Sequence, residues 1–341
     1  MRWWAVRLVS IAATLAMLFV TSRLVHANVE DYPVRVMVLC GIFVILAVSL
    51  NLVNGITGQF SIGHGGFYGV GAYTAAAWSV LWQPQVVKHV PWLDIHSPIG
   101  AVASLMVAIV LASVAAAIAG FIVGLPSLRL RGDYLAIVTL GFGEVIRVVL
   151  TNMEAVGGAR GLSGIPTIVS ANDLAIFWVL LFIVMVVIYQ KNLVSSVRGL
   201  TYLAVREDEI AADAMGVNTT RVKVTAFVVG AAFAGAAGAL YAHYNSGINP
   251  EEFGMDTSIM ITTMVVLGGT GSVSGSAIAA VVLYGLPEVL RFMQDYRLVI
   301  FSTLLVVMML TRPQGIFGHR EIGFLWIFRK IRRRAPEGRA G

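Results

Sequence analysis

Two ionisable side chains, Glu144 and Arg147, stand inside an otherwise apolar stretch of the chain. Residues three apart share one face of a helix, so this carboxylate and guanidinium can form an ion pair. Ionisable groups within apolar segments are candidates for function. Two interpretations follow: a structural pair that faces neighbouring helices, or a charged lining of a passage that contacts a zwitterionic solute. Asp133, directly before this stretch, is a candidate helix N-cap.

His64 is the other polar residue whose position could matter chemically, because it lies among glycines in the run Gly63-His64-Gly65-Gly66. Either the backbone at a helix start satisfies its ring, or the ring gates a passage. A metal site is not indicated, because a zinc ion needs several ligands at suitable spacing and His64 has no such companions in the sequence.

The sequence lacks the motifs of several common enzyme classes. It contains no G-x-x-x-x-G-K-[ST] phosphate loop, no HExxH pair, no nucleophile elbow and no Asp-rich metal motif. We therefore expect a non-catalytic protein that binds no cofactor directly. Any energy from ATP would have to be supplied by another chain.

The composition indicates a membrane protein with many spans. Of 341 residues, 58% are hydrophobic and only 12% are charged, against about 25% charged in soluble domains. This excludes a soluble enzyme, a disordered chain and a disulfide scaffold. A helix needs about 20 mainly apolar residues to cross a bilayer, so we predict an all-α polytopic protein with about 8–10 transmembrane helices. The candidate spans are 4–22, 34–53, 62–82, 98–124, 134–150, 173–190, 223–243, 256–268, 275–291 and 298–311.

Lys and Arg are concentrated on one side of this arrangement. With the N-terminus inside, 17 of the 24 Lys and Arg residues fall in cytoplasmic stretches, as the positive-inside rule requires. An even number of spans then puts both termini in the cytoplasm of a bacterial inner membrane, with the basic run 329–334 against anionic lipid. The first 27 residues also resemble a signal peptide, but the Trp3-Trp4 pair favours a retained membrane helix.

Two glycine-rich segments, 55–61 and 268–274, share the pattern G-x-T-G-x-Φ-S, where Φ is an apolar residue. Glycine permits positive φ angles and close backbone approach, so both are predicted to be broken or re-entrant turns at membrane depth. The repetition suggests an internal duplication, although any tight turn in a membrane selects glycine and serine. Transport paths often run along broken helices between repeats. The residues that we predict to line such a path are Ser61, His64, Glu144, Arg147, Gly268, Gly271 and Ser274.

The longest polar stretch, 191–222, is predicted to be cytoplasmic. Within it, 206–216 reads as one short helix that acidic residues open and Gly216 ends. A helix this short is marginal in water, so it must pack on its own bundle or on a separate cytoplasmic protein.

The run Glu209–Gly216 resembles the "EAA…G" coupling loop of ABC importer permeases, the helix that sits in a groove of the ATPase subunit. The surrounding sequence is similar to the LivM-type permeases of high-affinity branched-chain amino acid importers, over roughly residues 38–318. The N-terminal 30 residues and the basic tail do not contribute. The stretches that carry the likeness are 52–65, 131–144, 157–166, the coupling run and 312–318.

This resemblance implies a permease subunit of an ATP-driven importer for branched-chain or other hydrophobic amino acids. The subunit would form half of the translocation path and work by alternating access. The implied partners are a LivH-type second permease, two ATPases of LivG and LivF type and a periplasmic amino-acid-binding protein, with no nucleic acid. The residues implied to couple to the ATPase are Arg206, Glu207, Asp208, Glu209, Ala211, Ala212 and Gly216.

The resemblance divides the chain into three parts. These are an N-terminal membrane helix with a short outer loop (1–33), the permease domain (34–318, with the coupling loop 191–222) and a basic cytoplasmic tail (319–341). Two alternatives stay open. One is a permease for urea or short-chain amides, and the other is an ion-coupled secondary amino acid transporter, which would explain Glu144 but leave 191–222 without a purpose.

Overall fold

The computed structural model describes residues 2–95, 97–128, 130, 132–169, 174–293, 296–311, 315, 316 and 318. The predicted basic tail lies outside the described residues. A two-stranded antiparallel sheet joins β1 (Leu162–Ser163) to β2 (Gly247–Ile248), with Leu162 opposite Ile248. The helices in the described residues are α1 (Arg2–Asn28), α2 (Asp31–Asn51), α3 (His64–Ala77), α4 (Gln83–Val87), α5 (Pro98–Ser127), α6 (Asp133–Asn152), α7 (Ala175–Val194), α8 (Val197–Glu207), α9 (Glu209–Ala214), α10 (Thr219–Asn245), α11 (Met255–Gly268), α12 (Val273–Val289) and α13 (Tyr296–Thr311).

The predicted all-α membrane architecture is confirmed, because each of the ten candidate spans coincides with a helix. α11 has only 14 residues and ends at the glycine turn, as expected for the short segment 256–268. Six helical stretches in the described residues are long and apolar enough to cross a membrane: Asp31–Ile56, Ile99–Ser127, Asp133–Asn152, Ala175–Val194, Thr219–Asn245 and Val273–Met293.

α2 lies at the centre of the bundle. In its most apolar 18-residue window, 83% of the residues are buried. A helix that is apolar on every side can be surrounded by lipid or by other helices, and other helices surround α2. α7, α10, α11 and α12 all pack against α2, and a π-helical turn at Leu52–Ile56 carries it to the first glycine segment.

Small residues let α3, α5 and α10 approach one another closely. Gly71 on α3 lies directly against the backbone of Gly235 on α10, where a Cβ atom would collide. Gly235 also packs against α5, because a Cβ at Gly235 would be 2.5 Å from the carbonyl oxygen of Ala112. Close backbone packing of this kind replaces the hydrophobic driving force that helices lack in lipid.

Two local predictions are wrong. Residues 206–216 do not form one helix, because Asp208 is extended (φ −154°, ψ 109°) and separates α8 from α9. Its carboxylate accepts from the N–H groups of Ile210 and Ala211, and N-capping is the role that Asp favours over a helix interior. Asp133 is not an N-cap either, since Gly132 holds that position with φ 59° and Asp133 is the first helical residue.

Candidate functional site

The predicted ion pair between Glu144 and Arg147 is present on α6. Arg147 Nε donates to Glu144 Oε2 at 2.7 Å, and 31% of each side chain is exposed. The pair lies beside Gly254 at the start of α11, where a Cβ atom would be 3.2 Å from Arg147 Cδ. Charged groups at membrane depth rarely face lipid. This side of α6 is therefore expected to face water or another protein chain.

His64 begins α3 and is almost completely buried, with 2% exposed. The expectation that backbone groups satisfy its ring is wrong, because His64 Nε2 lies 2.8 Å from Ser49 Oγ on α2. The Ser49 hydroxyl in turn donates to Leu46 O at 2.8 Å. One residue after His64, Gly65 N–H donates to Ser258 Oγ on α11 at 3.0 Å. The start of α3 is thus bonded to both α2 and α11, and a gating role for His64 stays a prediction.

The first glycine loop, defined as residues 57–63, joins α2 to α3. The side-chain amide of Asn54 closes this loop with two hydrogen bonds to the backbone of Ser61. Asn54 Oδ1 accepts from Ser61 N–H and Asn54 Nδ2 donates to Ser61 O, both at 3.1 Å. Ser61 itself is 1% exposed. Its predicted place on the path would therefore require this loop to move.

The second glycine loop, defined as residues 269–272, joins α11 to α12. Ser272 caps α12 by accepting from Gly275 N–H at 3.1 Å, and Ser274 Oγ lies 3.4 Å from Ser272 Oγ. Gly268 packs directly on the backbone of Gly275, so the two helices meet closely above the turn.

The two glycine segments contact each other. We call this contact the glycine junction and define it by Asn51, Gly55 and Gly271. Gly271 N–H donates to Asn51 Oδ1 at 2.9 Å, and a Cβ atom at Gly55 would collide with both the Gly271 nitrogen and Asn51 Oδ1. Gly58 and Gly271, which hold the same position in the shared pattern, both have positive φ (70° and 91°). The sequence repetition thus corresponds to two turns that meet in space.

The segment that contains α8 and α9 packs on the same end of the bundle. On α8, Tyr202 lies in a small buried cluster with Leu52, Ile56 and Ala226. Burial raises the pKa of the Tyr202 phenol above its ordinary value. This cluster fixes α8 against the end of α2 and the start of α10.

α9 combines a buried attachment with an exposed apolar surface. Ala212 is buried, and Glu209 Oε1 lies 2.6 Å from Nζ of Lys223 on α10, whose side chain is only 7% exposed. Ile210 and Met215 are 69% and 85% exposed. Two exposed apolar side chains on a short polar segment are compatible with a docking role. Gly216 then ends the segment in the left-handed conformation (φ 85°), as predicted.

Arg206, at the end of α8, points into the bundle rather than outward. Its Nη1 donates to Gly55 O at 3.3 Å, and Nε and Nη2 bind Glu207 Oε1 at 3.1 and 2.6 Å. Glu207 is 71% exposed. The predicted coupling residues are therefore of two kinds: Arg206 and Ala212 face the bundle, whereas Glu207 and Ala211 face outward.

The structure brings some of the predicted site residues together and keeps others apart. Arg206 lies next to Gly271, just after the end of α11. Glu144 and Arg147 lie next to Gly254, at the start of α11. Reasoning from the sequence missed four polar residues that hold these parts together. Two of them, Asn51 and Asn54, stand three apart in an apolar run just before Gly55, a signal that could have identified them. The four residues are Asn51, Asn54, Lys223 and Ser258.

A large apolar cavity does not coincide with the predicted path. It has a volume of about 620 Å³ and lies between α1, α2, α7 and α12. Its lining includes Met37, Val179 and Val281 but none of the predicted path residues.

Apolar helices long enough to cross a membrane, glycine-broken helices and a charged pair within one of the candidate spans are typical of membrane transport proteins. The chain belongs to the family described as the permease component of the branched-chain amino acid transport system, whose match covers residues 32–311.

Curated relatives agree with this assignment. The chain is 37% identical over 305 residues to the high-affinity branched-chain amino acid transport system permease protein LivM of Salmonella typhimurium, covering 81% of this chain and 67% of the relative. It is 28% identical to the probable LivM permease of Methanocaldococcus jannaschii, covering 66% and 72%. It is also 26% identical to the LivH permease of Escherichia coli, covering 82% and 92%. No solved structure gives a significant match.

Proposed function

We propose that this multi-pass permease is the transmembrane subunit of an ATP-driven importer for branched-chain or other hydrophobic amino acids. The family match and the names of the LivM and LivH relatives support this substrate class. The ATP-driven part of this proposal rests on the position of α9. Lys223 holds α9 on the bundle, and exposed apolar residues face away from the bundle.

The proposed complex contains a LivH-type second permease, two ATPases of LivG and LivF type and a periplasmic amino-acid-binding protein. ATP is used by the ATPases, and no cofactor binds this chain directly. The distribution of Lys and Arg supports an inner-membrane location with both termini in the cytoplasm. In this arrangement the glycine loops and α9 lie on the cytoplasmic side, where ATPases can reach them.

Reconstitution tests this function directly. The complete complex in proteoliposomes should take up leucine when ATP and the loaded binding protein are present. Uptake by the single chain in a proton or sodium gradient, without ATP, would instead support a secondary transporter. Competition by urea or short-chain amides but not by leucine would support the related amide importers.

Ile210→Asp tests whether α9 docks on an ATPase. Placing a charge on an exposed apolar docking residue should weaken ATPase binding by about 2 kcal/mol or more, which is roughly 30-fold in affinity. Pull-down of the ATPases with the tagged permease measures this loss, and Ile210→Leu is the matched control that keeps an apolar side chain. Normal recovery of ATPases with the Asp variant would contradict docking through α9.

We also propose that Glu144 and Arg147 line the translocation path and contact the ammonium and carboxylate groups of the amino acid. Their exposure on α6 supports this role. Ser61, His64 and Gly268 are buried, so they would reach the path only when the glycine loops part, while Gly271 and Ser274 are partly exposed at the second loop.

A charge exchange separates the path role from a purely structural ion pair. Glu144→Gln and Arg147→Gln should each lower uptake by about tenfold or more, because each removes one charge that the solute meets. The double variant Glu144→Arg with Arg147→Glu keeps a pair but reverses its order. We expect it to assemble and still fail in leucine uptake, whereas full recovery of uptake would show that the pair is only structural.

A further inference from the structure

One side chain, Arg206, contacts both glycine loops. Its Nη1 atom donates to Gly55 O at 3.3 Å and lies 3.1 Å from the position that a Cβ of Gly271 would take. Its Cγ atom lies 2.7 Å from the Cβ position of Gly58. The absence of side chains at Gly58 and Gly271 makes room for the arginine at the contact between the loops.

The chain connects Arg206 directly to the proposed docking helix. Only Glu207 and Asp208 separate it from α9, and Asp208 fixes the start of α9 through its two cap hydrogen bonds. A force applied at Ile210 or Met215 therefore reaches Arg206 through a short and ordered connection.

The α8–α9 segment is attached to the bundle at two separate places, α10 and the glycine junction. The ion pair between Glu209 and Lys223 holds it on α10, which packs mainly with α3 and α5. Arg206 holds it on the glycine junction, which belongs to α2 and to the loop between α11 and α12. A displacement of the segment relative to α10 therefore moves the arginine against the junction.

We propose that Arg206 is the positioning residue that transmits movement of α9 to the glycine junction, so that the two glycine loops separate or close during transport. This proposal rests on the proposed function, because it requires an ATPase bound at α9. The guanidinium suits the role because its planar fork can hold Gly55 O through one nitrogen and Glu207 through the other two. A lysine ammonium on a flexible stem lacks this fixed geometry.

The test compares Arg206→Ala, Arg206→Lys and the control Arg198→Ala in the reconstituted complex. Arg198 is exposed on the same helix, and none of the described glycine-loop contacts involves it. Three quantities are measured: assembly with the ATPases, ATPase stimulation by loaded binding protein, and leucine taken up per ATP hydrolysed. We expect Arg206→Ala to lower uptake per ATP by about tenfold while assembly and stimulation persist. Arg206→Lys should give an intermediate ratio, and Arg198→Ala should match the wild type.

Three outcomes would overturn the proposal. In the first, Arg206→Ala keeps the wild-type ratio of uptake to hydrolysis. In the second, assembly, hydrolysis and uptake fall in parallel, which shows a general structural role. In the third, Arg198→Ala lowers the ratio as much as Arg206→Ala does. Failure of the wild-type complex to import with ATP is a different result, because it would overturn the proposed function itself.

Discussion

Gly55→Ala should abolish leucine uptake by the reconstituted complex. The added methyl group would occupy the space of the Gly271 backbone nitrogen and of Asn51 Oδ1, and it would break the hydrogen bond that joins them. Overpacking a tight contact typically costs about 1–3 kcal/mol, and here the cost falls on the contact between the two glycine loops. We therefore expect loss of uptake together with a lower thermal stability of the purified complex.

Gly285→Ala is the matched control for this change. Gly285 lies within α12, and its added methyl group would meet Cys40 Sγ at 3.7 Å, an ordinary van der Waals contact. Alanine is also the better helix former, so this variant should retain uptake and stability. If the two variants behave alike, the loops do not pack as the structure shows.

Glu209→Ala should cause the second large effect, because it leaves the buried ammonium of Lys223 without its partner. Removing one member of a buried ion pair typically costs about 3–5 kcal/mol. Lys223 is 7% exposed and Glu209 is 26% exposed, so water can relieve little of this cost. Uptake should be lost, and the melting temperature of the complex should fall.

The double variant Glu209→Ala with Lys223→Met separates stability from coupling. Replacing a buried ion pair with apolar side chains is often neutral for stability, so the melting temperature should recover. Uptake should stay low, because α9 would lose the ion pair that joins it to α10. A single Glu209→Ala variant with wild-type stability would contradict the buried pair.

Local sequence patterns predicted the helices well but not the contacts between them. Each of the ten candidate spans is a helix, because length and apolar composition are properties of one segment. The contact between Gly55 and Gly271 joins turns that are far apart in the chain, and no local pattern encodes it. The partner of His64 could not be predicted for the same reason, since Ser49 lies on a different helix.

The coupling region shows where a motif misleads. The run Arg206-Glu207-Asp208-Glu209 is polar throughout and favours one continuous helix, yet Asp208 caps a new helix instead. Arg206, two residues before that break, donates to Gly55 O at the glycine junction. Coupling to an ATPase through this segment stays a prediction, and the direction of each side chain depends on the packing of Tyr202 and Lys223.

The exposed ion pair on α6 matters for a copy of this subunit that is inserted into the membrane before it assembles. A copy inserted without its companions would present Glu144 and Arg147 to acyl chains, a costly arrangement for charged groups. A second permease that covers this face, as proposed, would remove that cost, so this subunit would be more stable in the complex than alone.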